Sequence, residues 1–154
     1  MKLSHHPGDI KRFRQTPWKF QTTFATPLKN LVPFVKAITT AHTPFGSACL
    51  TLDTVVFEPR NLLQLLSDHS LAPEHGRDWT LTADSLTEVQ ELLKTALSDW
   101  GDFAFVPSPK PFVIYADHDE YLTFFANNKS GLNRVIAELT KQGFKQVQDY
   151  ERSF

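Results

Sequence analysis

The sequence predicts a single α+β domain, with helices packed on one face of a mainly antiparallel sheet. Three observations lead there. Several segments alternate apolar and polar residues with period two, as strands with one buried face do. Others carry apolar residues at helical spacing between recognisable caps. Strand and helix patterns are intermixed along 154 residues, with no internal repeat and no long polar linker that would separate two domains. A chain of this length buries roughly two-thirds of its unfolded surface, so its core, rich in Phe (13 residues), needs neither disulfide nor metal.

The first elements are the least regular. Residues 1–16 have no apolar periodicity and contain the turn pair Pro7-Gly8; they read as a flexible basic arm, dispensable for folding. The folded domain is expected over 17–154. Trp18, Phe20, Thr22, Phe24 and Thr26 alternate with Lys19, Gln21, Thr23 and Ala25, which predicts a strand whose apolar face carries Trp18, Phe20 and Phe24. Thr26-Pro27 suits a helix start, and Leu28, Leu31, Val32, Val35 and Ile38 form a stripe. Pro33 lacks an N–H and crowds the preceding turn, so the helix either kinks or begins there. Residues 48–57 are apolar on both faces, which predicts a central strand with Cys49 buried on it. Pro59-Arg60-Asn61 opens a short helix over 62–69, and 70–78, with Pro73, His75 and Gly76, reads as a loop.

The second half is clearer. Trp79, Leu81 and Ala83 alternate as a strand. Ser85-Leu86-Thr87-Glu88 is a capping box, followed by the stripe Leu86, Val89, Leu93, Ala96, Leu97 and Trp100, with Gly101 expected to end the helix. Residues 103–106 form a short strand before a proline-rich break. Residues 112–116 and 121–126 read as a hairpin around Asp117-His118-Asp119-Glu120. Leu132, Val135, Ile136 and Leu139 line a second helix, Gly143 is its left-handed C-cap, and a last strand spans 145–150. From 78 onward the expected order is βαββαβ, the ferredoxin-like pattern.

Charge is unevenly distributed. Lys2, Lys11, Arg12, Arg14, Lys19, Lys29 and Lys36 face only Asp9 within 1–36, whereas 53–120 holds thirteen acids and four bases; the whole chain is at −1. That balance argues against wholesale nucleic-acid coating, and the acidic middle suits a basic partner. No apolar run reaches the roughly 18 residues a membrane helix needs, and no apolar stretch follows Lys2, so no membrane role and a cytoplasmic location are expected. The single cysteine excludes a Cys-rich zinc site, and no two histidines stand at i,i+4. There is no Gly-x-Ser-x-Gly elbow and no Gly-rich phosphate loop, so no cofactor is expected.

The densest cluster of ionisable groups is Asp117-His118-Asp119-Glu120. Carboxylates this close repel one another and gain from a cationic neighbour, although acidic residues also suit any solvated turn. Glu88 and Glu91 are expected on the outer face of the capping-box helix, with Asp102 just beyond its exit. The partner-binding set is therefore Asp117, Asp119, Glu120, Glu88, Glu91 and Asp102. The basic, aromatic N-terminal stretch with Lys11, Arg12, Phe13, Arg14 and Lys19 offers phosphate contact and stacking to a nucleic acid. Asn127-Asn128-Lys129-Ser130, Leu139, Gln142-Gly143-Phe144, Val147 and Tyr150 resemble the C-terminal part of N-acetyltransferases of the histone-modifying type. That resemblance implies an acetyl-CoA site, but the Gln/Arg-x-x-Gly-x-Gly/Ala signature that would cradle the pyrophosphate is missing.

These readings favour a non-catalytic protein-binding protein, most concretely an immunity protein or antitoxin that masks a basic, nuclease-like partner. The alternatives are an acyl-CoA-dependent N-acetyltransferase-like enzyme with a degenerate cofactor loop, and a nucleic-acid binder acting through its N-terminal arm.

Overall fold

A computed structural model describes residues 1–55, 57–72 and 79–154. Val56 and most of the expected 70–78 loop, including Pro73, His75 and Gly76, lie outside the described residues. The strands are β1 (Lys2–His5), β2 (Phe20–Ala25), β3 (Ser47–Val55), β4 (Trp79–Ala83), β5 (Gly101–Ser108), β6 (Val113–Ala116), β7 (Tyr121–Ala126) and β8 (Gln146–Val147). They form one antiparallel sheet in the order β1-β4-β3-β5-β6-β7-β2-β8. The helices are α1 (Asp9–Gln15), α2 (Leu31–Thr40), α3 (Arg60–Asp68), α4 (Leu86–Ser98) and α5 (Lys129–Lys141). The chain is a single α+β domain, as its sequence predicts.

The second half does not form a self-contained βαββαβ unit. Three strands, β5 to β7, separate α4 from α5, and each crossover straddles a first-half strand. The unit β4-α4-β5 encloses β3, and β7-α5-β8 encloses β2. Long-range pairing thus interleaves the two halves, which no local pattern encodes.

Helices α2 to α5 cover one face. Phe34, Ile38, Leu62, Leu66, Val89, Leu93, Leu132 and Val135 bury against Phe24, Leu50, Leu81, Phe103, Phe105, Ile114, Leu122 and Phe124. Period two sends the intervening residues Ala104, Val113, Tyr115 and Phe125 to the opposite face.

On that opposite face the arm reading of 1–16 is corrected. Lys2–His5 pairs antiparallel with β4, and α1 lies across the sheet with Ile10 and Phe13 buried. The phenyl ring of Phe13 stacks on Tyr115 at 5.7 Å and meets Phe125 edge-on at 5.5 Å. Only two large apolar side chains anchor a seven-residue helix, too few for a periodic signal. Trp18 also belongs to this face, not to that of Phe24: it sits before β2 begins and its indole donates to the Phe13 carbonyl at 3.2 Å. Cys49 is exposed there, because α1 leaves that part of β3 uncovered.

Local signals otherwise place the elements well. A turn of 3₁₀ helix at Leu28–Asn30 precedes α2, and Pro33 falls in the first α-turn, where no N–H partner is lost. Ser85 Oγ accepts from Glu88 N at 3.3 Å, and the Glu88 carboxylate accepts from Asp84 N at 2.9 Å. The exit of α4 differs from expectation: Trp100 at φ +55°, not Gly101, turns the chain, and Gly101 begins β5. Gly143, at φ +83°, closes α5 with Phe144 N donating to the Leu139 carbonyl at 3.0 Å. The last strand shrinks to Gln146–Val147.

Candidate functional site

The acidic hairpin turn joins β6 to β7, and its geometry follows from Asp117. The Asp117 carboxylate accepts from Asp119 N at 2.9 Å and Tyr121 N at 3.1 Å, which folds the turn over its own side chain. It also pairs with Arg152, which donates through Nε to Thr123 Oγ1 at 3.1 Å. Asp117 is therefore neutralised and turned inward. Asp102 is similarly committed: Oδ1 accepts from His118 N at 2.9 Å and lies 2.8 Å from His118 Nδ1. The bond to Asp102 holds the His118 imidazole above its ordinary pKa, with the nearby Asp119 and Asp117 charges acting in the same direction.

Asp119 and Glu120 remain at the exposed tip of the turn. Glu120 adopts φ +66°, and its carbonyl accepts from Thr26 N at 2.7 Å. Across a shallow cleft floored by Ala116 and Leu97 stands Trp100. A bulky residue at φ +55° is a costly conformation, of order 1–3 kcal/mol, and here it holds a large aromatic at the surface, 38% exposed. Gly101 pairs with Val55, so the end of β3 lies alongside. Val55 is 38% and Phe57 62% exposed. Asp99 ties the next segment down by accepting from Leu62 N at 2.7 Å and Asn61 N at 3.2 Å, capping α3. Exposed apolar side chains at this end of the sheet are therefore Trp100, which shares its cleft with Glu120, and Val55, whose strand partner is Gly101, with Phe57 exposed two residues further along the chain.

The other two expected partner-binding residues lie elsewhere. Glu88, at the N-terminus of α4, is engaged by Asp84 N and by the Met1 ammonium at 2.6 Å; these bonds hold its pKa below the ordinary carboxylate value. It stands about 18 Å along the helix from Trp100. Glu91 faces His69 at 3.7 Å and lines a groove between α2, α3 and α4. Of the six expected residues, Asp117, Asp119, Glu120 and Asp102 gather at one end of the sheet; Glu120 and Asp119 are exposed there, Asp119 standing 3.9 Å from His118 Nε2.

Sequence reasoning did not find Phe57 and Val55 as surface groups. The run Val55-Val56-Phe57 reads as strand core, and only the β3–β5 register shows that the sheet is ending there. Nor did it find the network on the second face, where the Tyr115 hydroxyl donates to Asp53 Oδ2 at 2.5 Å and Arg14 pairs with the same carboxylate. Burial and the Asp53 hydrogen bond push the Tyr115 phenol well above its ordinary pKa. Arg14 is held more firmly protonated, chiefly by its bond to Tyr115.

Among the described residues, no three His, Cys, Asp or Glu side chains are placed to hold a metal ion, and no helix is long and apolar enough to cross a membrane. No family model, curated protein or solved structure matches this chain.

Proposed function

We propose that this protein is a non-catalytic binding protein that engages a basic protein partner through the sheet end formed by Val55, Phe57, Trp100 and the Asp119-Glu120 tip. The most concrete version is an immunity protein or antitoxin that masks a nuclease-like partner. The observation that carries the reading is the exposure of Phe57 and of Trp100, which shares a cleft with Glu120 beside the exposed Asp119. An exposed aromatic centre with a polar rim is how protein interfaces are composed, and large surface aromatics without a partner are otherwise a liability. The acidic rim would steer a cationic surface toward these side chains and raise the association rate. Arg60 opposes this field only weakly, because it is occupied by Glu58 at 3.2 Å.

The test is capture from native lysate with three immobilised proteins: wild type, Phe57→Ser/Trp100→Ala, and Asp119→Asn/Glu120→Gln. A basic protein retained stoichiometrically by wild type should be lost by the aromatic variant and should bind the charge variant more slowly, with weaker salt dependence. A masking role further requires that this partner regain its own activity when the aromatic variant replaces wild type. Equal retention by all three proteins would overturn the assignment of this surface.

A further inference from the structure

We propose a second site, on the face of the sheet opposite α2–α5, that binds a small organic carboxylate with an apolar body. α1 covers the sheet through Phe13 but leaves a groove of about 320 Å³ beside β3 and β5. Its floor is mostly apolar: Ala104 and Val113 are buried, Val106 is half-buried and Trp18 forms a wall, with Thr51 and Cys49 of β3 alongside. The small side chains of β5 give the groove its depth beside the packed pair Phe13 and Trp18, whose rings lie 5.6 Å apart.

Two cations stand at its rim. Lys110 is exposed and makes no ion pair or hydrogen bond among the described residues; Arg12 is 82% exposed and only loosely held by Asp9 at 3.5 Å. Among the described residues Asp9 is the only acid lining the groove, so these side chains give the rim an excess of positive charge. An apolar floor with a few placed charges is the usual make-up of a ligand site, and this volume lies at the small end of such sites. At roughly 30 Å³ per water-sized group it holds about ten heavy atoms. That matches a medium-chain carboxylate: the carboxylate would sit between Arg12 and Lys110 and the alkyl chain along Ala104 and Val106. The groove shares no lining residue with the proposed partner surface at the end of the sheet.

Cys49, the single cysteine, opens onto the groove and reports its occupancy. Three eight-carbon probes separate the contributions: octanoate, octan-1-ol and octylammonium. Octanoate at saturation should slow alkylation of Cys49 at least fivefold and raise the melting temperature by about 3 °C at ten times its Kd. Octan-1-ol and octylammonium should slow alkylation less than twofold. In Arg12→Ala/Lys110→Ala, octanoate should protect no better than octan-1-ol, each rate being compared with the same variant free of ligand. Val106→Phe should abolish protection with both cations in place. Equal protection by the three probes, protection by none, or protection undiminished in the double variant would overturn the site.

Discussion

The two faces of the sheet are held by different physics. On one, four helices bury a continuous apolar core in which Phe24, Phe34, Phe103, Phe105 and Phe124 are fully enclosed. On the other, one seven-residue helix and the chain's last residues close over a smaller cluster around Phe13, Tyr115 and Phe125. Buried and half-buried polar pairs support that cluster: Thr23–Thr123 at 2.8 Å, Thr51–Thr80 at 3.0 Å, Tyr115–Asp53, and Arg152 on Asp117 and Thr123. The first face rests on apolar area, the second on aromatic contacts and hydrogen bonds between residues far apart in the chain. The predicted helix-face partner residues Glu88 and Glu91 lie on the first, while the turn that carries the proposed partner surface is tied to the second through Arg152.

The largest expected effect tests whether the thinly covered face matters to folding. Phe13→Ala should cost about 3–5 kcal/mol and lower the melting temperature by about 10 °C, comparable to Leu93→Ala in the helical core. Removing Met1–Gln15 should cost more, since it also strips β1 from β4. Thermal melts of the three proteins decide this. A Phe13→Ala melt within 2 °C of wild type would return 1–16 to the arm it resembles in sequence.

What was legible follows the same division. Ser85, Glu88, Gly143 and the stripes of α4 and α5 act within one or two turns, so spacing alone places those helices. The alternation in β2 and β4 placed strands because one face of each is buried under helices, and the turn residues 117–120 placed β6 and β7 as a hairpin. α1 has no stripe, since Ile10 and Phe13 suffice to anchor it, and its basic residues made it look solvated. The proposed partner surface was half legible. The acidic turn stands out as a run of ionisable groups, but its division into exposed carboxylates (Asp119, Glu120) and closely bonded ones (Asp117, Asp102) depends on Arg152 and His118. Phe57 gave no signal, because a buried and an exposed phenylalanine look alike until the register of β3 is known.

A second test probes the helical face through backbone rather than side-chain packing. Gly131 sits in the first turn of α5 directly against the Pro111 carbonyl, where a Cβ would overlap backbone atoms. The same helix turn receives His42 Nε2 at 2.8 Å from the Gly131 carbonyl. Gly→Ala ordinarily stabilises a helix by up to about 1 kcal/mol. Here Gly131→Ala should instead destabilise by about 1–3 kcal/mol, as overpacking does. Chemical denaturation with an unchanged m-value would confirm the sign, and a gain in stability would show that α5 can shift away from the loop before β6. A smaller loss, about 1 kcal/mol, is expected for Ser85→Ala, which removes the cap of α4. Ser85→Asp should restore it, since another capping oxygen can take the Glu88 amide.

The smallest effect separates the faces by pH. By alternation along β5, Asp102 lies on the same side as Ala104, so the His118–Asp102 pair belongs to the hydrogen-bonded face. The folded protein holds the His118 pKa above the ordinary 6.5, chiefly through the Asp102 hydrogen bond. Protonated His118 therefore favours the folded state. Its contribution is fully present below about pH 6.5 and is lost as the pH rises through the folded-state value. The imidazole is 40% exposed, so solvent screening keeps this small, within about 1 kcal/mol. Glu88 works in the opposite sense. Its lowered pKa gives stability that is present above about 4.5 and is lost on acidification through the folded value. Melting temperatures between pH 6 and 9 should thus fall slightly in wild type and flatten in His118→Gln, while Glu88→Gln should leave that slope intact and change only the acid side. The His118 side-chain titration followed by NMR gives the same quantity without unfolding the protein. A midpoint at or below the ordinary imidazole value would mean that Asp102 does not hold the ring.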